Sequence, residues 1–112
     1  MSSVADLLAT FGQAWNDHDV EAALDICTDD VVFESTFPAP DGERSQGKEA
    51  VRAAWKPVFE AGGHFDVEEI VVAADRAVQR WRFDWGDGHV RGVDVFRIRD
   101  GKVAEKLSYV KG

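Results

Sequence analysis

A chain of 112 residues with 45% hydrophobic content can build one core but not two, so a single domain spanning residues 1–112, with one pocket at most, is expected. Its 21 acidic and 13 basic side chains give a formal charge of −8, a field that repels phosphate backbones and anionic bilayers and so argues against nucleic-acid and membrane partners. Apolar stretches are broken every few residues, the start MSSVADLL carries no basic region ahead of an apolar run, and the lone Cys27 has no internal disulfide partner. A cytoplasmic protein without a span or signal peptide is the expectation.

Val4, Leu7, Leu8, Phe11 and Trp15 form one helical stripe, which predicts a helix from about Ser3 to Asn16 with Ser3 as N-cap and Asp6 at its positive end. Asn16-Asp17-His18-Asp19 is turn chemistry. Asp19 can cap a second short helix whose apolar members are Val20, Ala23, Leu24 and Cys27. The β-branched and aromatic run Val31 to Phe37 predicts a strand ending at Pro38, and Pro38 to Gly47 reads as a surface loop. A third helix is expected from about Lys48 to Ala61, kinked by Pro57 and stopped by Gly62-Gly63.

From Phe65 the period changes. Phe65 to Val72, Ala77 to Trp85, Val90 to Ile98 and Lys102 to Val110 are strand-length segments separated by turn residues, so hairpins and a mainly antiparallel sheet are predicted. The fold class is α+β. Both faces of the last hairpin carry apolar residues, while three helices can cover only one. Val93, Val95 and one of Val103, Leu107 or Tyr109 therefore suggest a homodimer through the outer sheet face.

Asp94 shares a strand face with Phe96 and Ile98, where the pattern demands core or cavity. Burial among apolar side chains disfavours a carboxylate's charged form, which is how a carboxyl comes to exchange protons near neutral pH. The plainer alternative is a buried carboxylate satisfied by backbone donors or a lysine, or one at a frayed edge. Its cross-strand neighbour depends on the Asp100-Gly101 turn. A two-residue loop places Leu107 opposite, with Glu105 and Tyr109 diagonal; a three-residue loop places Lys106 opposite, with Ser108 diagonal. Glu105 would oppose a charged Asp94 and Lys106 would favour it.

The rings of Phe11, Trp15, Phe33, Trp55, Phe59, Trp81 and Phe83 could wall a cavity for a fused-ring or isoprenoid molecule, or simply fill a core. Ser35, between Phe33 and Phe37, is either a polar pocket contact or an ordinary strand serine. His18, His64 and His89 lack metal-site spacing, so no metal is expected. Gly86-Asp87-Gly88 lies in a hairpin and is rejected as a phosphate loop, and Cys27 is read as core.

The order of elements, with Trp15-Asn16-Asp17-His18-Asp19, Asp29-Asp30-Val31-Val32-Phe33, Gly47-Lys48-Glu49-Ala50-Val51 and Arg91-Gly92-Val93-Asp94-Val95-Phe96, resembles the SnoaL-like branch of the nuclear transport factor 2-like superfamily over essentially the whole chain. The resemblance implies a conical, cystatin-like α+β barrel with a pocket at its wide end, common dimerisation, and metal-free acid–base chemistry on apolar small molecules. Laid on the ketosteroid isomerase pattern, the oxyanion aspartate falls on Asp94, but the general base falls on Ser35 and the oxyanion tyrosine on Phe11. Supporting tyrosines fall on Cys27 and Trp55. The resemblance thus speaks against ketosteroid isomerisation while keeping Asp94 as a polyketide-cyclase-like acid–base residue, and it favours Lys106 and Ser108 on the Asp94 face.

The favoured reading is a cofactor-independent isomerase, cyclase or hydratase/dehydratase acting through Asp94, with Phe11, Trp15, Phe33, Ser35, Trp55, Phe59, Trp81, Phe83, Phe96, Lys106 and Ser108 around the substrate. The alternatives are a non-catalytic dimeric module for a hydrophobic ligand and a dimerisation domain whose cone is filled by its own side chains.

Overall fold

The computed structural model describes residues 3–111; residues 1, 2 and 112 of the expected domain lie outside it. Helix α1 spans Val4–Asn16. The Ser3 hydroxyl accepts from the Asp6 amide at 3.0 Å and the Asp6 carboxylate accepts from the Ser3 amide at 3.2 Å, a reciprocal cap that satisfies two otherwise unpaired donors. Asp19 caps α2 (Val20–Asp25), its Oδ1 accepting from the Ala22 amide at 3.1 Å.

Cys27 is not part of that helix. It opens strand β1 (Cys27–Glu34), because the Ile26 carbonyl accepts from the Val103 amide and commits the chain to a ladder, while Thr28, Val31 and Val32 favour extended backbone. The thiol stays in the core, where Sγ donates to the Ala23 carbonyl at 3.3 Å. At the other end the strand stops at Glu34, before the expected Phe37. Ser35 clamps a loop instead, its Oγ donating to the Phe37 carbonyl at 2.6 Å and accepting from the Glu43 amide at 3.0 Å. The returning chain forms an edge strand, β2 (Arg44–Gln46), antiparallel to β1, inside the segment expected to be only loop.

Helix α3 (Lys48–Ala61) passes through exposed Pro57 without being ended by it. It stops at Gly62 and Gly63, with φ of 81° and 100°, values that residues with a Cβ rarely adopt. Strands β3 (His64–Ala73), β4 (Arg76–Asp84), β5 (His89–Arg99) and β6 (Lys102–Val110) follow as an antiparallel meander. The sheet order is β2-β1-β6-β5-β4-β3, and β1 lies parallel to β6, since α3 carries the chain across between β1 and the meander. The sheet is therefore mixed, and it is not a closed barrel: β2 and β3 are its two edges. The three helices lie against it, with the core between the layers.

The β5–β6 register differs from both alternatives read from the sequence. Asp100 and Gly101 have φ of 55° and 73°, a tight two-residue turn that pairs Arg99 with Lys102 and Ile98 with Val103. Arg97 then pairs with Glu105, so Ala104 is an extra residue, a bulge that shifts everything beyond it by one. Asp94 faces Ser108 directly, and Lys106 stands diagonal to it. The same bulge returns Val103 to the core, fully buried, where an uninterrupted alternation would allow it outside.

Candidate functional site

On the inner face of β5, Asp94 lies two residues from Phe96, and Lys106 and Ser108 come up beside it on β6. Ser108 Oγ donates to Asp94 Oδ1 at 2.7 Å. Lys106 Nζ donates to Ser108 Oγ at 2.8 Å and lies 3.4 Å from the same Asp94 oxygen. The lysine and aspartate side chains are only 8% and 5% exposed, so each charge depends on the other for compensation. Aromatic faces complete the lysine's surroundings, its ammonium lying 4.8 Å from the Trp15 ring centre and 5.1 Å from that of Phe33.

Two hollows adjoin this network, where one at most was expected. The larger has a volume of about 410 Å³. Trp15, Phe33, Trp81 and Phe83 wall it, Lys106 and Ser108 supply polar groups, and Ser35 and Phe37 also border it. Gly92 makes one wall possible: a Cβ there would meet Trp81 ring carbons at 2.7 Å and the Tyr109 carbonyl oxygen at 2.3 Å, so only glycine lets the indole lie so close to β5. The smaller hollow, about 240 Å³, lies between α1 and the β3–β5 strands and is bordered by Phe11, Gln79 and Asp94. Trp15, Phe65 and Lys106 border both. Asp94 thus lines the smaller hollow, and it reaches the larger one through Ser108 and Lys106.

Of the residues singled out from the sequence, Trp55, Phe59 and Phe96 line neither hollow. Their rings pack together instead: Phe11 lies 5.8 Å from both Trp55 and Phe96, and Trp15 lies 4.4 Å from Phe59. Contacts of this kind fill the middle of the molecule. Burial pushes the Cys27 thiol up to about 12, which makes it an inert packing residue. His18 Nε2 lies 2.9 Å from the Gly63 carbonyl and His64 lies against Asp66.

Two residues escaped the sequence reading. Asn16 fastens the end of α1 to β3, donating to the Phe65 carbonyl at 2.9 Å and accepting from its amide at 2.8 Å. Gln79 pairs with Asp94 across β4 and β5, is buried, and its Oε1 has no hydrogen-bond partner among the described residues. A signal for it existed: glutamine between Ala77 and Trp81 on the apolar parity of β4 is as anomalous as aspartate beside Phe96.

The SnoaL-like domain profile matches residues 8–106. An NTF2-like protein of unknown function from Mesorhizobium loti is 38% identical over 96% of this chain and 90% of its own, with a TM-score of 0.85. A SnoaL-like protein of unknown function from Burkholderia thailandensis is 25% identical over all of both chains, with a TM-score of 0.82. A Sinorhizobium meliloti protein provisionally named a polyketide cyclase is 24% identical over 92% of this chain and 93% of its own, with a TM-score of 0.79, a likeness of fold. No curated protein matches the sequence. With its profile covering most of the chain and its fold shared with these structures, this protein belongs to the SnoaL-like family.

Proposed function

We propose that the larger hollow binds an apolar molecule of fused-ring size and acts on it by cofactor-independent acid–base chemistry of the isomerase, cyclase or hydratase/dehydratase type. The observation that carries this reading is a buried ammonium among aromatic walls, backed by a serine and a carboxylate. A carbonyl or hydroxyl oxygen laid against Lys106 Nζ would have its developing negative charge stabilised by a donor that water cannot screen. The indole N–H groups of Trp15 and Trp81, which border the same hollow, also lack partners among the described residues, and this favours a ligand that accepts hydrogen bonds.

The network also offers a proton route. Moving one proton from Nζ to Ser108 and another from Ser108 to Asp94 leaves an uncharged amine that can take a proton from a substrate carbon. Reversing both moves restores the ammonium that returns it. Asp94 is then the store at the end of the relay, and Lys106 is the residue that touches substrate. Ser35 is committed to its loop and offers no second base, which supports a reaction other than ketosteroid isomerisation.

The test uses 2-tetralone in D2O, following exchange of its α-protons by NMR, with 2-naphthol binding read by tryptophan fluorescence. The protein is expected to accelerate exchange, and Lys106→Met to lower the rate about 10²–10³-fold while naphthol still binds. Binding without exchange would replace this reading with that of a ligand-holding module, and failure of both probes to bind would end both.

The expected partner is a second copy of the chain. Val71, Val78, Val95 and Leu107 align across β3, β4, β5 and β6 on the outer face, with Val93 and Tyr109 in the adjacent row. Ion pairs Arg80–Glu69, Arg91–Glu68 and Arg97–Asp75 flank them. An apolar centre within a charged rim suits an isologous contact. Sedimentation at micromolar concentration should give a dimer that Val78→Asp with Leu107→Asp dissociates.

A further inference from the structure

The smaller hollow has features that the chemistry above does not use. Both hydrogen bonds to the Asp94 side chain fall on Oδ1, which leaves Oδ2 without a partner among the described residues, and Asp94 borders this hollow. Its neighbour across the strand pair, Gln79, is 7% exposed and borders the same space with its Oε1 unpartnered. Two acceptors thus stand side by side on an inner sheet face, and a buried acceptor without a donor is an expensive arrangement. Around them the lining is apolar, with Phe11, Phe65 and Ile70. On the helix side sits Gly12, where an added Cβ would meet nothing within 4 Å.

We infer that this hollow is a second small-molecule site, distinct from the larger one, and that it takes a neutral hydrogen-bond donor, a hydroxyl or amide N–H, carried on a single apolar ring. The donor group bridges Gln79 Oε1 and Asp94 Oδ2, and the ring lies against Phe11, Phe65 and Ile70. Charge suits a neutral ligand, because Lys106 and Asp94 both border the hollow and compensate one another. Size selects one ring, since a cavity of about 150 Å³ already accommodates benzene and this one holds about 240 Å³. A ligand bound here would touch the carboxylate that anchors Ser108 and Lys106, so its occupancy would be sensed in the larger hollow.

Benzyl alcohol is the probe, with toluene as the control lacking a donor. Titrated into the intact protein, the alcohol is expected to shift the amide resonances of Gly12, Ile70, Gln79 and Asp94 saturably, and to bind at least fivefold more tightly than toluene. Gln79→Leu removes one acceptor and should weaken the alcohol five- to tenfold, leaving toluene unchanged. Gly12→Leu places a side chain over the hollow and should abolish both, while 2-naphthol binding in the larger hollow stays within twofold for either variant. The inference is overturned if the shifts map to Phe33, Trp81 and Phe83, if alcohol and toluene bind alike, or if either variant that folds binds the alcohol like the parent. Should neither variant fold, the parent's shift map and the alcohol–toluene ratio decide. Because naphthol and tetralone report separately on the larger hollow, failure here leaves the acid–base reading standing, and failure there leaves this one.

Discussion

Near the Asp100–Gly101 turn the space between helices and sheet is filled by Leu24, Cys27, Val31, Val51 and Val103, each at most 1% exposed, whereas farther along the same inner face Trp15, Phe33, Trp81 and Phe83 stand around open volume with Lys106 among them. The first group is small or branched and interdigitates. The second consists largely of flat rings, and beside Trp81, which Phe65 meets at an interplanar angle of 85°, a volume of about 410 Å³ stays open. The two buried charges lie at the open end. The sealed end thus holds the fold, and the open end is the part available for chemistry.

That contrast can be broken by truncation. Trp55→Ala, in the sealed interior, should lower stability by about 4–5 kcal/mol in urea denaturation, while Trp81→Ala, on a wall already beside open volume, should fall near 3 kcal/mol, the low end for such changes. Equal losses would mean the two regions are equally packed.

Cys27 sharpens it from the sealed side. With its thiol raised from 9.0 to about 12 by burial, alkylation of the folded protein at pH 8 should run about 10³-fold more slowly than that of a free thiol. The unfolded thiol ionises first, so the stability that burial of the neutral thiol confers is complete below pH 9.0 and lost as pH rises towards about 12. A thiol that alkylates freely at pH 8 in the native state would contradict the packing.

On the open side, Lys106→Met strands the Asp94 carboxylate and should cost about 3 kcal/mol, the lower part of the range for a broken buried pair because Ser108 still donates to it. Adding Asp94→Leu should recover most of that loss. No recovery would show that the two charges act independently.

The smallest effects belong to the surface. Glu21, Asp30, Glu68 and Asp84 are held below their ordinary values chiefly by hydrogen bonds from Arg52, Arg99, Arg91 and Arg82. Their stabilisation is present above 4.5 for the glutamates and 3.8 for the aspartates, and is lost as pH falls through the lowered values. Glu21 and Asp30 are exposed and Glu68 and Asp84 partly so, so salt should flatten this acid limb of the stability curve.

Helix α3 and the four-strand meander were legible because each local signal agreed with the tertiary structure: glycines past the helix end, two-residue turns, and strand-length apolar runs. The α2–β1 boundary was not, because Cys27 suits a helix stripe and a buried strand equally, and a backbone bond from Val103, far along the chain, decides between them. Asp94 announced itself as a charge on an apolar parity, while its partners stayed ambiguous, since a bulge at alanine leaves no mark in composition. Gln79 carried the same signal more quietly, without the charge that draws attention. That the hollow would be divided depends on where the Trp15 ring and Lys106 come to rest, which periodicity does not encode.

Ala104, an unremarkable methyl near the start of β6, therefore sets the chemistry of the pocket without touching it. Were Ala104 drawn into the regular alternation instead of bulging out, the two-residue turn would bring Leu107 across from Asp94 and send Lys106 and Ser108 to the opposite side of the sheet, whereas deleting it would straighten the ladder and leave Asp94 facing Ser108. A one-residue slip of the ladder at this position would exchange a charged relay for a greasy plug, a route by which one scaffold can pass between reacting with its guest and merely storing it.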